Sequence, residues 1–118
     1  MIKDNLKDRF KQFAIRIIKL CQSLPKNKVT DVIGGQLLRA GTSVGANYRA
    51  ACRAKSTADF IHKLQIVEEE LDESLYWMEL LIDVKIIAET LLKELMKEGN
   101  ELLSIIISSI KTTKSKSK

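Results

Sequence analysis

Residues 60–81 read FIHKLQIVEEELDESLYWMELL, and their apolar positions decide the fold class. Apolar or small residues recur there in steps that alternate between four and three, which is the spacing of a heptad seam. The members of this seam are Phe60, Leu64, Val67, Leu71, Ser74, Met78 and Leu81. The stretch therefore predicts a long helix with one buried face, which begins at a cap on Ser56 or Thr57 and ends near Asp83.

Three further helices are predicted on either side of this segment. The first covers residues 4–23 and is ended by Pro25, which cannot continue a helix. The second begins at a cap on Thr30 or Asp31, and the fourth covers residues 88–110. Four amphipathic helices with short links predict an all-α, antiparallel up-down-up-down four-helix bundle.

The length of 118 residues fits a single domain, which is predicted to occupy residues 1–110. Residues 111–118, KTTKSKSK, are polar and lysine-rich and are predicted to form a disordered tail. Four of the five glycines lie in the second helix. A frayed or kinked helix is one explanation, but Gly41 and Gly45 share a face with apolar residues, which favours close packing against a neighbouring helix.

The sequence offers little that indicates catalysis. It has one histidine, His62, and no Glu-x-x-His pair, so a di-iron site is not predicted. It also lacks a Gly-rich phosphate loop and the Gly-x-Ser-x-Gly motif of hydrolases. We therefore predict a protein that is not an enzyme, with no metal site and no cofactor.

The ends and the cysteines point to a cytoplasmic protein. The N-terminus is charged from its third residue, and no apolar stretch reaches the length of a membrane span. Cys21 and Cys52 belong to no Cys-x-x-Cys motif and are predicted to be free thiols.

The net charge of +5 is unevenly distributed. Residues 1–30 hold eight basic and two acidic residues, whereas residues 64–83 hold seven acids and no base. A basic surface attracts phosphate backbones or acidic proteins. The acidic segment suggests that part of this charge is neutralised within the chain or between copies of it.

A row of arginines follows the outer face of the second helix. Arg39, Arg49 and Arg53 share one stripe at helical spacing, and Lys55 lies just beyond it. The planar guanidinium group binds two oxygen atoms of a phosphate or a carboxylate at once. The stripe is therefore a candidate nucleic-acid-binding surface, with an ordinary solvated face or ion pairs to the acids of the third helix as the alternatives.

The third helix also carries large residues away from its seam. Tyr76, Trp77 and Leu80 lie there, and Ile66 precedes Trp77 on the same face. Aromatic residues beside charged ones often mark interfaces. We predict that these four residues belong to a surface for self-association, the alternative being that Trp77 covers the edge of the monomer core.

The two central helices resemble a known family. The marks are QLLRA at 36–40, TSV at 42–44, Asn47, Asp59-Phe60 and ESL at 73–75. On these residues the chain is similar to the bacterial four-helix bundle proteins related to the 23S rRNA intervening-sequence proteins. Many of those proteins carry Asn-Ile-x-Glu-Gly where this chain has NYRAA at 47–51, so the acid is missing here and Arg49 makes the stretch more basic.

The resemblance implies a bundle that assembles into a ring, typically a homopentamer, and no enzymatic activity. Some relatives are encoded within intervening sequences of large-subunit rRNA genes. A related group forms pentameric barrels that bind a reverse transcriptase and nucleic acid as accessory proteins of retroelements.

Two functions remain open at this point. In the first, a non-catalytic oligomer associates with RNA or DNA through a repeated band of Arg39, Arg49, Arg53 and Lys55, with the terminal lysines as a flexible fringe. In the second, the ring is a scaffold or accessory subunit that recruits a protein such as a reverse transcriptase, without direct contact to nucleic acid.

Overall fold

The computed structural model describes residues 2–116, with side chains from residue 5 onward. This range is built from four helices, and no strand occurs within it. Their bounds are Ile2–Ser23 for α1, Lys28–Cys52 for α2, Thr57–Asp83 for α3 and Glu89–Lys116 for α4. Each helix packs on the next one in sequence, and the contact between α1 and α4 is the smallest. The predicted four-helix bundle is confirmed, with extents of 49 × 23 × 22 Å.

The core follows the predicted apolar lines. Every member of the α3 seam from Leu64 to Leu81 is buried, including Ser74, whose hydroxyl donates to the backbone oxygen of Glu70 at 2.8 Å. Phe60, the first member, differs from the others because it is only half-buried. From α1 the core receives Phe10, Phe13 and Ile17, all without exposed surface.

The glycines of α2 do bring two helices together, as the sequence predicts. A Cβ atom added at Gly41 would overlap the side chain of Ile17 on α1. A Cβ atom added at Gly45 would lie 3.4 Å from the Cβ atom and 3.7 Å from the backbone oxygen of Phe10. Small residues on α2 therefore allow α1 to approach its backbone closely.

The caps agree with the prediction at α3 and differ from it at α2. The Ser56 hydroxyl accepts a hydrogen bond from the Asp59 backbone N–H at 3.1 Å, so Ser56 caps α3. The prediction of Thr30 or Asp31 as the α2 cap is wrong. The cap is Asn27, whose side-chain oxygen accepts from the Thr30 N–H at 2.9 Å. This bond starts the helix three residues earlier and buries Thr30 in its first turn.

The end of α4 also differs from the prediction. The helix continues through residues 111–116, where the sequence predicts disorder, while residues 117 and 118 lie outside the described part of the chain. The physical reason is tertiary packing: Ile110 is buried at the end of the core, and Thr113 lines a groove together with Phe60 of α3. Such contacts compensate for the weak helix propensity of the serines and threonines.

Candidate nucleic-acid interface

The structure divides the predicted arginine stripe, and Arg39 stands apart from the rest. Its guanidinium donates to Glu70 of α3 at 3.1 Å and forms a second, shorter ion pair with Glu73. The Trp77 indole N–H also donates to Glu73, at 3.0 Å. Arg39 is therefore engaged with acids of its own chain, which is the ion-pair alternative left open by the sequence.

Arg49 lies at a different place, in a groove between α1 and α2. This α1–α2 groove, with a volume of about 530 Å³, is lined by Lys7, Asp8, Lys11, Ala14, Thr42, Gly45, Ala46 and Arg49. The small residues that bring the helices together leave space outside the contact. Three cations and one acid surround this space, so the groove is positive. Sequence reasoning missed Lys7 and Lys11, although their i, i+4 spacing within the basic first third of the chain is a usable signal.

Arg53 and Lys55 lie where α2 turns into α3. Both side chains are exposed, and Arg53 forms the C-terminal cap of α2. The acid closest in sequence is Asp59, which accepts from the Lys63 ammonium at 2.9 Å and from the Lys55 backbone N–H at 3.2 Å. These two hydrogen bonds to Lys63 and Lys55 hold the pKa of Asp59 below its usual value. Asp59 is therefore already engaged, and it pairs with neither the Arg53 guanidinium nor the Lys55 ammonium.

The continuation of α4 brings more positive charge to the same end of the bundle. Thr113 of α4 lines a groove together with Lys55 and Thr57. Helical geometry places Lys116 on the same face of α4 as Thr113, one turn further on. The sequence predicts the terminal lysines as a flexible fringe. Up to Lys116, they instead lie on α4, next to the α2–α3 turn.

The predicted interface residues lie together with further apolar residues on the outer side of α2 and α3. Tyr76 is 52% exposed, its ring lies edge-on to Trp77 at 5.1 Å, and Trp77, Ile66 and Leu80 are half-buried. The ion pairs of Arg39 show the register of the two antiparallel helices, and this register places the start of α2 beside the end of α3. Exposed valines from both helices extend the patch at this level, namely Val29, Val32 and Val84. We call this surface the apolar patch.

The remaining chemistry of the described side chains is limited. Between residues 5 and 116, no group of three or more His, Cys, Asp or Glu residues is placed to hold a metal ion. Cys21 and Cys52 are free thiols, and burial raises the pKa of Cys21. None of the four helices, as far as the structure describes them, is long and apolar enough to cross a membrane.

These features define a class of protein: a small antiparallel four-helix bundle with one basic end and an exposed apolar patch. Residues 5–108 match the 23S rRNA-intervening sequence proteins, and the chain belongs to this family. The family resemblance seen in the sequence is therefore confirmed.

A solved structure agrees with this assignment. It is a protein of unknown function from the S23 ribosomal protein family of Bacteroides thetaiotaomicron, 40% identical to this chain. The match covers 94% of this chain and 99% of the relative, with a TM-score of 0.87. None of the curated proteins compared with the chain matches it. Neither the family description nor the solved relative indicates an enzymatic activity.

Proposed function

We propose that this protein is a non-catalytic oligomer that associates with nucleic acid through the basic end of its bundle. The observation that carries the proposal is the contrast between Arg39 and the three other predicted residues. Arg39 is neutralised by two carboxylates of its own chain. Arg49, Arg53 and Lys55 are exposed, and their charged groups form no ion pair with any residue that the structure describes. The proposed interface therefore consists of Arg49, Arg53 and Lys55, with Lys7 and Lys11 added from α1.

The family supports a nucleic-acid partner in a general way, because its description refers to an intervening sequence of 23S rRNA. The electrostatics supports it more directly. Cations that form no ion pair are available to an external phosphate, and each phosphate that they neutralise releases condensed counterions. Repetition of the same surface in an oligomer would raise the avidity without a strong single site.

Self-association is the second part of the proposal, and the apolar patch supports it. Val29 and Val32 are 60% and 59% exposed, which is unusual for valines side by side on one helix face. Exposed apolar groups beside acidic residues of α3 suit a contact between copies. We expect an assembly of several 13.4-kDa chains, five if this protein follows the ring implied by the family resemblance. Light scattering coupled to gel filtration measures this mass directly, and a mass of one chain would refute the oligomer.

The nucleic-acid part is tested by binding of nuclease-treated protein to labelled single-stranded RNA and duplex DNA across a salt series. Arg49→Glu with Arg53→Glu is the test variant. Lys93→Glu with Lys97→Glu is the matched control, since both lysines are exposed and the net charge changes equally, on the half of α4 that lies away from the basic end. We expect the test variant to bind more weakly and to reduce the salt slope by about 1.5 to 2, the contribution of two phosphate contacts. Equal weakening by both variants, or no binding of the unmodified protein at low salt, would refute the proposal.

A protein scaffold is the alternative function, and the engagement of Arg39 with Glu70 and Glu73 favours it. If the same kind of pairing joins basic and acidic surfaces of neighbouring copies, Arg49 and Arg53 stabilise the ring rather than bind phosphate. The same test variant separates the two functions. Dissociation of the oligomer without any change in nucleic-acid binding would support the scaffold, whereas weaker nucleic-acid binding by an intact oligomer would support the first function.

A further inference from the structure

Two adjoining grooves at the basic end share Phe60 and Thr113. The larger one, about 500 Å³, runs between α3 and α4 and is lined by Phe60, Ile105 and five hydroxyl-bearing residues of α4. The smaller one, about 280 Å³, lies at the α2–α3 turn and includes Lys55 and Thr57. Because Phe60 and Thr113 line both, the two form one continuous surface, which we call the hydroxyl groove.

Phe60 is the unusual residue of this surface. It opens the heptad seam of α3, whose other members are buried, yet it is only half-buried itself. One side of Phe60 packs against the core, and the rest of the ring contributes to the lining of the groove. Because the core already holds one part of the ring in place, a ligand that packs on the open part restricts little additional side-chain motion.

Basic residues are frequent in the two segments that meet at the hydroxyl groove. Residues 49–63 contain four arginines or lysines and one acid, and residues 109–116 contain three lysines and no acid. The single acid is Asp59, which is engaged with Lys63. Lys55 lines the groove, and Lys116 follows Thr112 and Thr113 by four and three residues, on the same face of α4.

We propose that the hydroxyl groove binds single-stranded nucleic acid, with one base stacked on Phe60 and the flanking phosphates near Lys55 and Lys116. This proposal rests on the proposed function and specifies the type of strand. An aromatic platform beside a row of cations is the arrangement by which proteins hold single strands, because every unpaired base offers a π face. The bases of a duplex are stacked on each other and cannot reach such a ring. The hydroxyls of Ser108, Ser109 and Thr112 can donate to phosphate or sugar oxygens.

The test measures the affinity of the full chain for a short labelled RNA strand by fluorescence anisotropy. Phe60→Leu retains an apolar side chain but removes the π face, and Phe60→Tyr is the matched control, because it changes the same position and keeps an aromatic ring. We expect Phe60→Leu to weaken single-strand binding by about tenfold, as the loss of one stacked base does. We expect the control to leave binding unchanged, and both variants to bind duplex DNA as the unmodified protein does.

A second measurement is independent of the folding of the variants. The unmodified protein is titrated with an abasic strand of equal length and charge, which we expect to bind about tenfold more weakly than the intact strand. Equal affinity for the two strands, or unchanged single-strand binding by a folded Phe60→Leu variant, would overturn the groove proposal and leave the proposed function standing. Failure of the unmodified protein to bind any strand would refute both.

Discussion

The close approach of α1 and α2 at Gly41 leads to a prediction whose magnitude follows from the structure. In an open helix position, Gly→Ala stabilises by up to about 1 kcal/mol because alanine has the higher helix propensity. At Gly41 the new methyl group would overlap the side chain of Ile17, which has no exposed surface. Overpacking of this kind costs about 1–3 kcal/mol. We therefore expect Gly41→Ala to lower the free energy of unfolding, by about 1 kcal/mol when the two effects are combined.

Gly35 provides the matched control on the same helix. A Cβ atom added there meets nothing within 4 Å. Gly35→Ala is therefore expected to raise the free energy of unfolding through its higher helix propensity, without a steric cost. The two variants should therefore differ by about 1–3 kcal/mol, although both make the same chemical change. Urea unfolding followed by Trp77 fluorescence and by circular dichroism measures the difference, at one fixed protein concentration because association also contributes to stability.

A third variant tests the cause of the loss. Ile17→Val removes the Cδ1 atom, the one that a Cβ atom at Gly41 would overlap most. Alone it is expected to cost about 0.5–1.5 kcal/mol, but combined with Gly41→Ala it should cost less than the sum of the two single changes. Additive losses, or a Gly41→Ala protein as stable as Gly35→Ala, would refute the account of close helix packing.

Three other predictions concern the apolar patch, the α1–α4 contact and the α2 cap. Replacing the exposed Tyr76 with Lys should lower the oligomer mass in light scattering while the helical circular dichroism signal stays unchanged, and an unchanged mass would exclude Tyr76 from the interface. The Arg9 guanidinium, which donates to Glu98 at 2.7 and 3.0 Å, holds the pKa of Glu98 below its usual value of 4.5. The ionised Glu98 therefore stabilises the fold above about pH 4.5, and this stabilisation is lost as the pH falls through the lowered pKa. Glu98→Gln should consequently make the free energy of unfolding less dependent on pH in the acid range. Asn27→Ala should cost about 0.5–2 kcal/mol in urea unfolding, since it leaves the Thr30 amide without its cap, whereas Asn27→Ser should cost far less.

The sequence predicts the helices well because the signals that define them are local. The seam of α3, the cap at Ser56 and the break at Pro25 depend on neighbours along the chain, and the structure confirms each. The predicted cap of α2 lies three residues too far along the chain. Asn27 and Thr30 are both good capping residues, and the local sequence does not decide between them. The end of α4 depends on tertiary packing that no local pattern reports, since Ile110 is buried in the core and Thr113 lines a groove together with Phe60 of α3.

The candidate site was only partly predictable for a related reason. Helical spacing correctly places Arg39, Arg49 and Arg53 on the outer side of α2. It does not give the register between α2 and α3, and this register decides that Arg39 faces Glu70 and Glu73. Spacing along one helix does not give the register between α1 and α2 either, and that register brings Lys7 and Lys11 of α1 to the groove of Arg49. The division of one stripe into the ion-paired Arg39 and the exposed Arg49 and Arg53 is thus a property of the tertiary structure.

The small contact between α1 and α4 has a consequence for the motions of the bundle. These helices are joined by Arg9, which reaches Glu98 and Glu101 across the surface, and by Phe13 beneath Gly99. Salt weakens the ion pairs of this small contact, whereas it does not weaken the apolar contacts of the bundle. The bundle is therefore expected to open along this seam first, as a sub-global opening in which α4 separates from α1 while α1, α2 and α3 stay packed. Amide hydrogen exchange would then be fastest along the α1–α4 seam and would accelerate there as the salt concentration rises.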